Sequence, residues 1–332
     1  MNLNLVSIVI PAYNLPDYTE KTLNSIITQS YRPIEVILSD DNSPNSLNQI
    51  IDKYSNLNEK GISYKYYRQS LNLGYYWNLN FAISKATGKY LLMLDHDDWL
   101  IDDNFLYDSI NFLEKNTNCN VTISNTVNED SPFPFFNLNT QHWVTINGMS
   151  FICNYLFNNL HPSRSAIIMR FDKLNELNYG NYFLSKEKIQ YMPDEAFVSI
   201  ILLASIGNIA ISGKIVSIRG VPEKISVSRT KEWNLDTGIK SFVQYINLYY
   251  YFKKINSIQG MKLMVNLILK KYPIKSFNYE IIKGFNFDKI AITLMTASVI
   301  RQIVLYVFTL FNKIIFKLKN LFFYNIINKI IK

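Results

Sequence analysis

Cysteine and histidine are scarce in this chain of 332 residues. Cys119 and Cys153 are its only cysteines. They form no CxxC pair and no zinc spacing, which excludes a thiolate metal cage. A reduced, cytosolic setting suits them. The three histidines, His96, His142 and His161, are scattered and read as polar core or surface residues rather than metal ligands. No G-x-G-x-x-G follows the first strand-like segment and no Walker A sequence occurs, so a dinucleotide or P-loop site is not expected. The start, MNLNLVSIVIPAYN, lacks the basic region and long apolar core of a signal peptide and reads as a strand. Charged residues make up 18% and hydrophobic ones 48%, a balance that supplies a real core and argues against disorder. The length suits one large domain with a smaller appendage.

Acidic residues are absent from Ala291 to Lys332, where Arg301, Lys313, Lys317, Lys319, Lys329 and Lys332 stand among Phe, Ile and Leu. Most of the net charge of +8 therefore lies in the tail, and the body is nearly neutral. A basic tail with apolar residues at helical spacing suits an anionic membrane surface better than a nucleic acid. The alternative is a helical subdomain with a lysine-rich solvent face. Arg301 sits in the middle of the apolar run 290–311, which favours a helix lying in the interface over one crossing the bilayer.

The first hundred residues alternate between two periods. VSIVIPAY, IEVILSDD, ISYKYYRQ and KYLLMLD predict strands. NLPDYTEKTLNSIITQS, SPNSLNQIIDKYS (capped by Ser43 or Asn45) and YYWNLNFAISKAT (closed by Gly88) predict helices. WLIDDNFLYDSINFLEK predicts a long helix, NVTISN a fifth strand, and HPSRSAIIMR a strand entering the core. Such alternation implies right-handed crossovers and a mainly parallel sheet covered on both faces.

YLLMLDHDDWL drives a buried-looking strand into Asp95, Asp97 and Asp98. Crowded carboxylates repel one another and raise each other's pKa unless a positive charge joins them. Helix capping is one explanation. A hard divalent cation held by oxygen ligands is the other. Pro11 to Asn14, Asp40 with Asp41, and Asp95 to Asp98 all fall at carboxyl ends of parallel strands, where open α/β sheets bind ligands. Capping explains each cluster singly, whereas a shared site explains their common edge.

In order and spacing, VSIVIPAYN, SIITQSY, IEVILSDDNS, NLGYYWNLNFAISKATGKYLLMLDHDDW and PDEAFVSIILLA resemble a family 2 glycosyltransferase of the GT-A fold, over residues 5 to about 205. The resemblance implies an α/β, Rossmann-like, mainly parallel sheet flanked by helices, as a catalytic domain over 1–230. Residues 231–332 would form a helical C-terminal region with the membrane-associating tail. It further implies an inverting transferase using a nucleotide sugar, UDP first among them, with Mn2+ or Mg2+ as cofactor. By position, Asp41 resembles the carboxylate that binds the nucleotide base, in a pocket lined by Pro11, Ala12 and Tyr13. Asp95 resembles the acid facing ribose and metal, Asp97 the metal ligand, and Asp98 a neighbour acting through solvent. Asp194 resembles the catalytic base, with Glu195 as the alternative if the alignment slips by one residue.

Two departures stand out. Where the family often has arginine in its NxGxxxxxRN stretch, NLGYYWNLN places Leu79, followed by Asn80. The histidine often found after the base helix is missing from SIRGVPEKISVSR, which offers Arg219, Lys224 or Arg229 instead. The expected partners are a nucleotide-sugar donor, a saccharide or lipid-linked acceptor, an anionic membrane surface and a second copy in a homo-oligomer, with no nucleic acid. The expected setting is the inner face of the cytoplasmic membrane, in bacterial surface polysaccharide or lipooligosaccharide synthesis. A non-catalytic scaffold on the same fold is the alternative of a different class. A haloacid dehalogenase type phosphotransferase would place its D-x-D on the first strand, followed by Gly and Thr or Val, which DHDDW does not match.

Overall fold

The computed structural model describes residues 4–44, 47, 50, 53–54, 60–157, 162–177, 195–220, 248, 251–252, 254–261 and 263–264. The chain divides into two compact units, residues 1–244 and 245–332. In the second, the described residues are helical at 248, 251–252, 254, 258–261 and 263–264. The basic tail expected over 291–332 lies outside the described residues. Among the described residues, no helix is long and apolar enough to cross a membrane.

Unit 1 is built on a ten-stranded sheet. Its first half comprises β1 (Val6–Ala12), β2 (Ile34–Asp40), β3 (Ile62–Arg68) and β4 (Tyr90–Met93). These run parallel in the order β3-β2-β1-β4. Every residue of β1 and β2 is buried, as expected of parallel strands covered on both faces, and this is why their sequences read as nearly unbroken apolar runs. Two helices are fully described among their connections. Helix α1 (Pro16–Ile27) opens on a proline, which suits the first helical turn, and buries Leu23 and Ile26. Helix α2 (Tyr75–Ser84) precedes β4 and buries Asn78, Leu79, Ala82 and Ile83.

The second half adds β5 (Asp98–Leu100), α3 (Phe105–Lys115), β6 (Cys119–Asn128), β7 (Ser131–Pro134), β8 (Val144–Ile146), α4 (Gly148–Phe157), β9 (Ile167–Arg170), α5 (Phe171–Glu176), α6 (Glu195–Ser205) and β10 (Asn208–Arg219). The sheet continues β4-β9-β6-β10-β5, with β7 on β6 and β8 on β10. Strand β9 runs antiparallel to both β4 and β6, while the long β6–β10 ladder is parallel. The longest ladders are thus parallel and the antiparallel pieces short, so the mainly parallel α/β sheet expected from the pattern is the one formed.

Three local expectations need correction. WLIDDNFLYDSINFLEK is not one helix: Trp99 and Leu100 belong to β5, paired with β10, and α3 starts at Phe105. NVTISN is accordingly the sixth strand. Gly88 does not close α2, which ends at Ser84. It is required by close approach, since a Cβ there would lie 2.7 Å from Leu5 O and from the backbone nitrogen of Ser7. Ser43 spends its hydroxyl on the Asp40 carboxylate, and most of the helix expected after it lies outside the described residues.

Candidate active site

The loops leaving β1 and β2 and the last residues of β3 are tied together at the carboxyl edge of the sheet. Asp40 is fully buried and accepts the Ser43 N–H at 2.9 Å and hydroxyl at 2.5 Å, the Tyr66 hydroxyl at 2.8 Å and Arg68 Nη1 at 3.2 Å. Ser43 Oγ in turn accepts the backbone N–H of Asn14 at 2.8 Å. Asn14 and Leu15 have φ of 58° and 55°, and Asn42 has 58°. Left-handed backbone at non-glycine residues is strained and persists where surrounding structure over-determines it. Pro11 and Ala12 are buried opposite Ser39 and Asp40 in the ladder, and Tyr13 follows them at the strand end, half-buried.

Asp41 is buried too. Its Oδ1 accepts the N–H of Leu73 at 2.7 Å and its Oδ2 that of Gly74 at 2.8 Å, both just ahead of α2. Gly74 has φ 85°, a conformation that side chains disfavour. Asn78, one turn into α2, donates to Ser39 O at 2.7 Å and accepts from Ser39 Oγ at 2.5 Å. The start of α2 is therefore fixed on β2.

Its other side meets the aspartate cluster. Tyr75 donates its hydroxyl to Asp95 Oδ1 at 2.9 Å. Arg164, in the short turn before β9, brings Nε to 3.4 Å from Asp95 Oδ2, donates Nη1 to the Tyr75 hydroxyl and lies 5.1 Å from that ring's centroid. Burial pushes the Asp97 carboxyl upward, and Asp95 adds to the effect while His96 opposes it. Asp98 is displaced further, chiefly by complete burial and then by Asp95 and Asp97. It turns inward to accept the Ser165 hydroxyl, so it does not reach the site through solvent as the sequence suggested.

The fold thus brings Pro11, Ala12, Tyr13, Asp41, Asp95 and Asp97 to one edge. Glu195 begins α6, whose Val198, Ile201 and Leu202 are buried, and Asp194 lies outside the described residues. Leu79 is fully buried. Arg219 ends β10 opposite Asp98 in the ladder, while Lys224 and Arg229 lie outside the described residues. Tyr75, Arg164 and Ser165 escaped the sequence reading. A cation at the head of HPSRSAIIMR was the only hint, and nothing in its spacing linked it to Asp95.

The donor set fits a magnesium- or manganese-like ion. Among the described residues, no three His, Cys, Asp or Glu side chains form a metal cage. Such ions need only one or two carboxylates when water and substrate phosphates complete the shell, and Asp95 with Asp97 supply two crowded ones.

The model of glycosyl transferase family 2 matches residues 7–177, just over half the chain. The chain belongs to that family. An uncharacterized glycosyltransferase of Haemophilus influenzae is 35% identical over 116 residues, 35% of this chain and 45% of that protein. The UDP-Glc:alpha-D-GlcNAc-diphosphoundecaprenol beta-1,3-glucosyltransferase WfaP of Escherichia coli is 33% identical over 112 residues, 34% of this chain and 42% of WfaP. The matched stretch spans less than half the length of either relative. Among solved structures, S. aureus TarS 1-349 superposes with a TM-score of 0.57 at 17% identity, covering 83% of this chain and 76% of TarS 1-349. At that identity the likeness shows the fold alone, the GT-A-type α/β sheet flanked by helices.

Proposed function

We propose that this chain is an inverting glycosyltransferase that moves a sugar from a nucleotide donor, UDP-linked first among candidates, to a hydroxyl of a saccharide or lipid-linked acceptor. The observation that carries the reading is the start of α2, where Asp41 binds one side and Tyr75 holds Asp95 on the other. A base-binding carboxylate and a cation-facing one thereby share one short edge, as a nucleoside diphosphate requires.

In this reading Pro11, Ala12 and Tyr13 wall the base, Asp41 accepts its N–H, and Asp95 faces the ribose. Asp97 with Asp95 would hold Mn2+ or Mg2+. When bound, that ion neutralises charge on the departing diphosphate. Asp194, or Glu195 in its place, accepts the acceptor's hydroxyl proton as that oxygen attacks the anomeric carbon. The new C–O bond forms as the bond to the diphosphate breaks on the opposite face, so the configuration inverts. One base suffices, and no sugar-enzyme bond intervenes.

Residues 1–230 constitute the catalytic region in this reading, and 231–332 a helical region whose tail rests on the inner face of the cytoplasmic membrane. WfaP, by its name, acts on a diphosphoundecaprenol-linked substrate, which supports a lipid-linked acceptor and a role in surface polysaccharide or lipooligosaccharide synthesis. A screen of UDP-, GDP- and dTDP-sugars with Mn2+ tests the activity, with nucleotide release from one donor class expected. Folded protein that turns over none of them, with or without saccharide acceptors, would favour the scaffold reading.

A further inference from the structure

We propose that Arg164 binds the donor's diphosphate, held in readiness by Tyr75 and Asp95. This rests on the reading of the β1–β2–β4 edge as a nucleotide-diphosphate site. Arg164 opens a turn capped by Ser163, and the next two residues, Ser165 and Ala166, are fully buried at the head of β9. Strand β9 lies between β4 and β6 inside the sheet. The arginine backbone is therefore fixed by core packing while its side chain reaches the end of β4.

Arg219 ends β10 opposite Asp98 and acts on the Asp97 and Asp98 carboxyls, while three other described cations have commitments elsewhere. Arg68 bonds Asp40, Asn42 and the Ser43 carbonyl. Lys65 pairs with Glu35, and Lys21 lies over the Trp99 ring and pairs with Glu129. Leu79 contributes no charge. Arg164 instead pairs with Asp95, a carboxylate assigned to the donor. Its approach of 3.4 Å through Nε is looser than the about 2.7–2.9 Å of a strong charge-assisted bond. Both partners are about a quarter exposed, and such an ion pair contributes little to stability. Tyr75 orients the guanidinium, whose planar fork matches phosphate oxygens.

Calorimetric titration of the full chain with UDP and with uridine, each with Mn2+, tests the assignment, and GDP with guanosine serves as the parallel pair. Arg164→Met should lower UDP affinity roughly tenfold or more, as expected for losing a charge-assisted bond, and leave uridine affinity unchanged. Arg164→Lys should recover part of the loss. Tyr75→Phe, which keeps the ring and frees the guanidinium, should lower UDP affinity a few-fold and decides the matter should Arg164→Met not fold. Unchanged UDP affinity, or equal weakening of UDP and uridine, overturns the proposal. Asp97→Asn separates the two levels: if it loses Mn2+-dependent UDP binding while Arg164→Met and Tyr75→Phe bind normally, only the Arg164 assignment fails. If the wild type binds neither nucleoside diphosphate, the site reading fails with it.

Discussion

Asp41 and Gly74 are 33 positions apart and share a hydrogen bond of 2.8 Å, with Leu73 donating to the other carboxylate oxygen at 2.7 Å. One side chain thus satisfies two backbone N–H groups ahead of α2, as a capping residue does within its own helix. Asparagine would present an amide to one of them. We expect Asp41→Asn to cost about 1–2 kcal/mol in urea unfolding and to weaken uridine as well as UDP. Unaltered stability would show that the start of α2 is held by Asn78 alone.

Glu35 gives the fold a pH dependence. Burial alone would push its carboxyl up, but the Ser7 hydroxyl, Thr87 N–H, Lys65 and Thr87 hydroxyl together hold it below the ordinary value of 4.5. A depressed folded-state pKa contributes stability that is present above the unfolded value and lost as pH falls through the folded one. At pH 7, Glu35→Gln should be less stable than the wild type by about 1–3 kcal/mol. The gap should close as pH falls below about 4.5. Urea titrations from pH 7 to pH 3 read this directly, and a gap independent of pH would remove Glu35 as the source.

Gly220 donates its N–H to Asp97 O at 2.9 Å. A Cβ there would stand 2.1 Å from that same oxygen and 3.0 Å from the Tyr18 ring. Backbone cannot yield as a side-chain tip does, so Gly220→Ala must move the aspartate loop. The expected result is a loss of about 1–3 kcal/mol in stability together with weaker Mn2+-dependent UDP binding. Wild-type binding by this variant would mean that the loop tolerates displacement.

Asp97→Asn should abolish Mn2+-dependent UDP binding in a protein that still folds, because a hard cation depends on ligand charge. Asp194→Asn should leave that binding intact and stop transfer, since a base acts only as the acceptor attacks. Normal transfer by Asp194→Asn beside an inactive Glu195→Gln would move the role by one residue.

Periodicity revealed β1, β2 and β4 as compact apolar runs and β3 as an aromatic-rich one, and the strand ends pointed to the edge where Asp41 and Asp95 lie. It missed β5, where Trp99 and Leu100 at the front of a helix-like pattern owe their conformation to pairing with β10. Strand β10 itself was not anticipated: its register shifts around Gly213 and Lys214 break the alternation that marks a strand. Asp41 was recognisable from its position after β2, yet its bonds to Leu73 and Gly74 were not, because they depend on how α2 docks. Arg164 and Asp95 meet for the same reason, through β9 entering the sheet beside β4.

Asp40 holds Ser43 of the loop after β2 and the end of β3 on one buried carboxylate, and Ser43 in turn holds Asn14 after β1. On the proposed reading, a nucleotide arriving at this edge meets a floor whose left-handed turns were settled when the chain folded. Little conformational freedom remains there to be lost, so recognition of the base should carry a small entropic penalty and show little dependence on the time given for rearrangement.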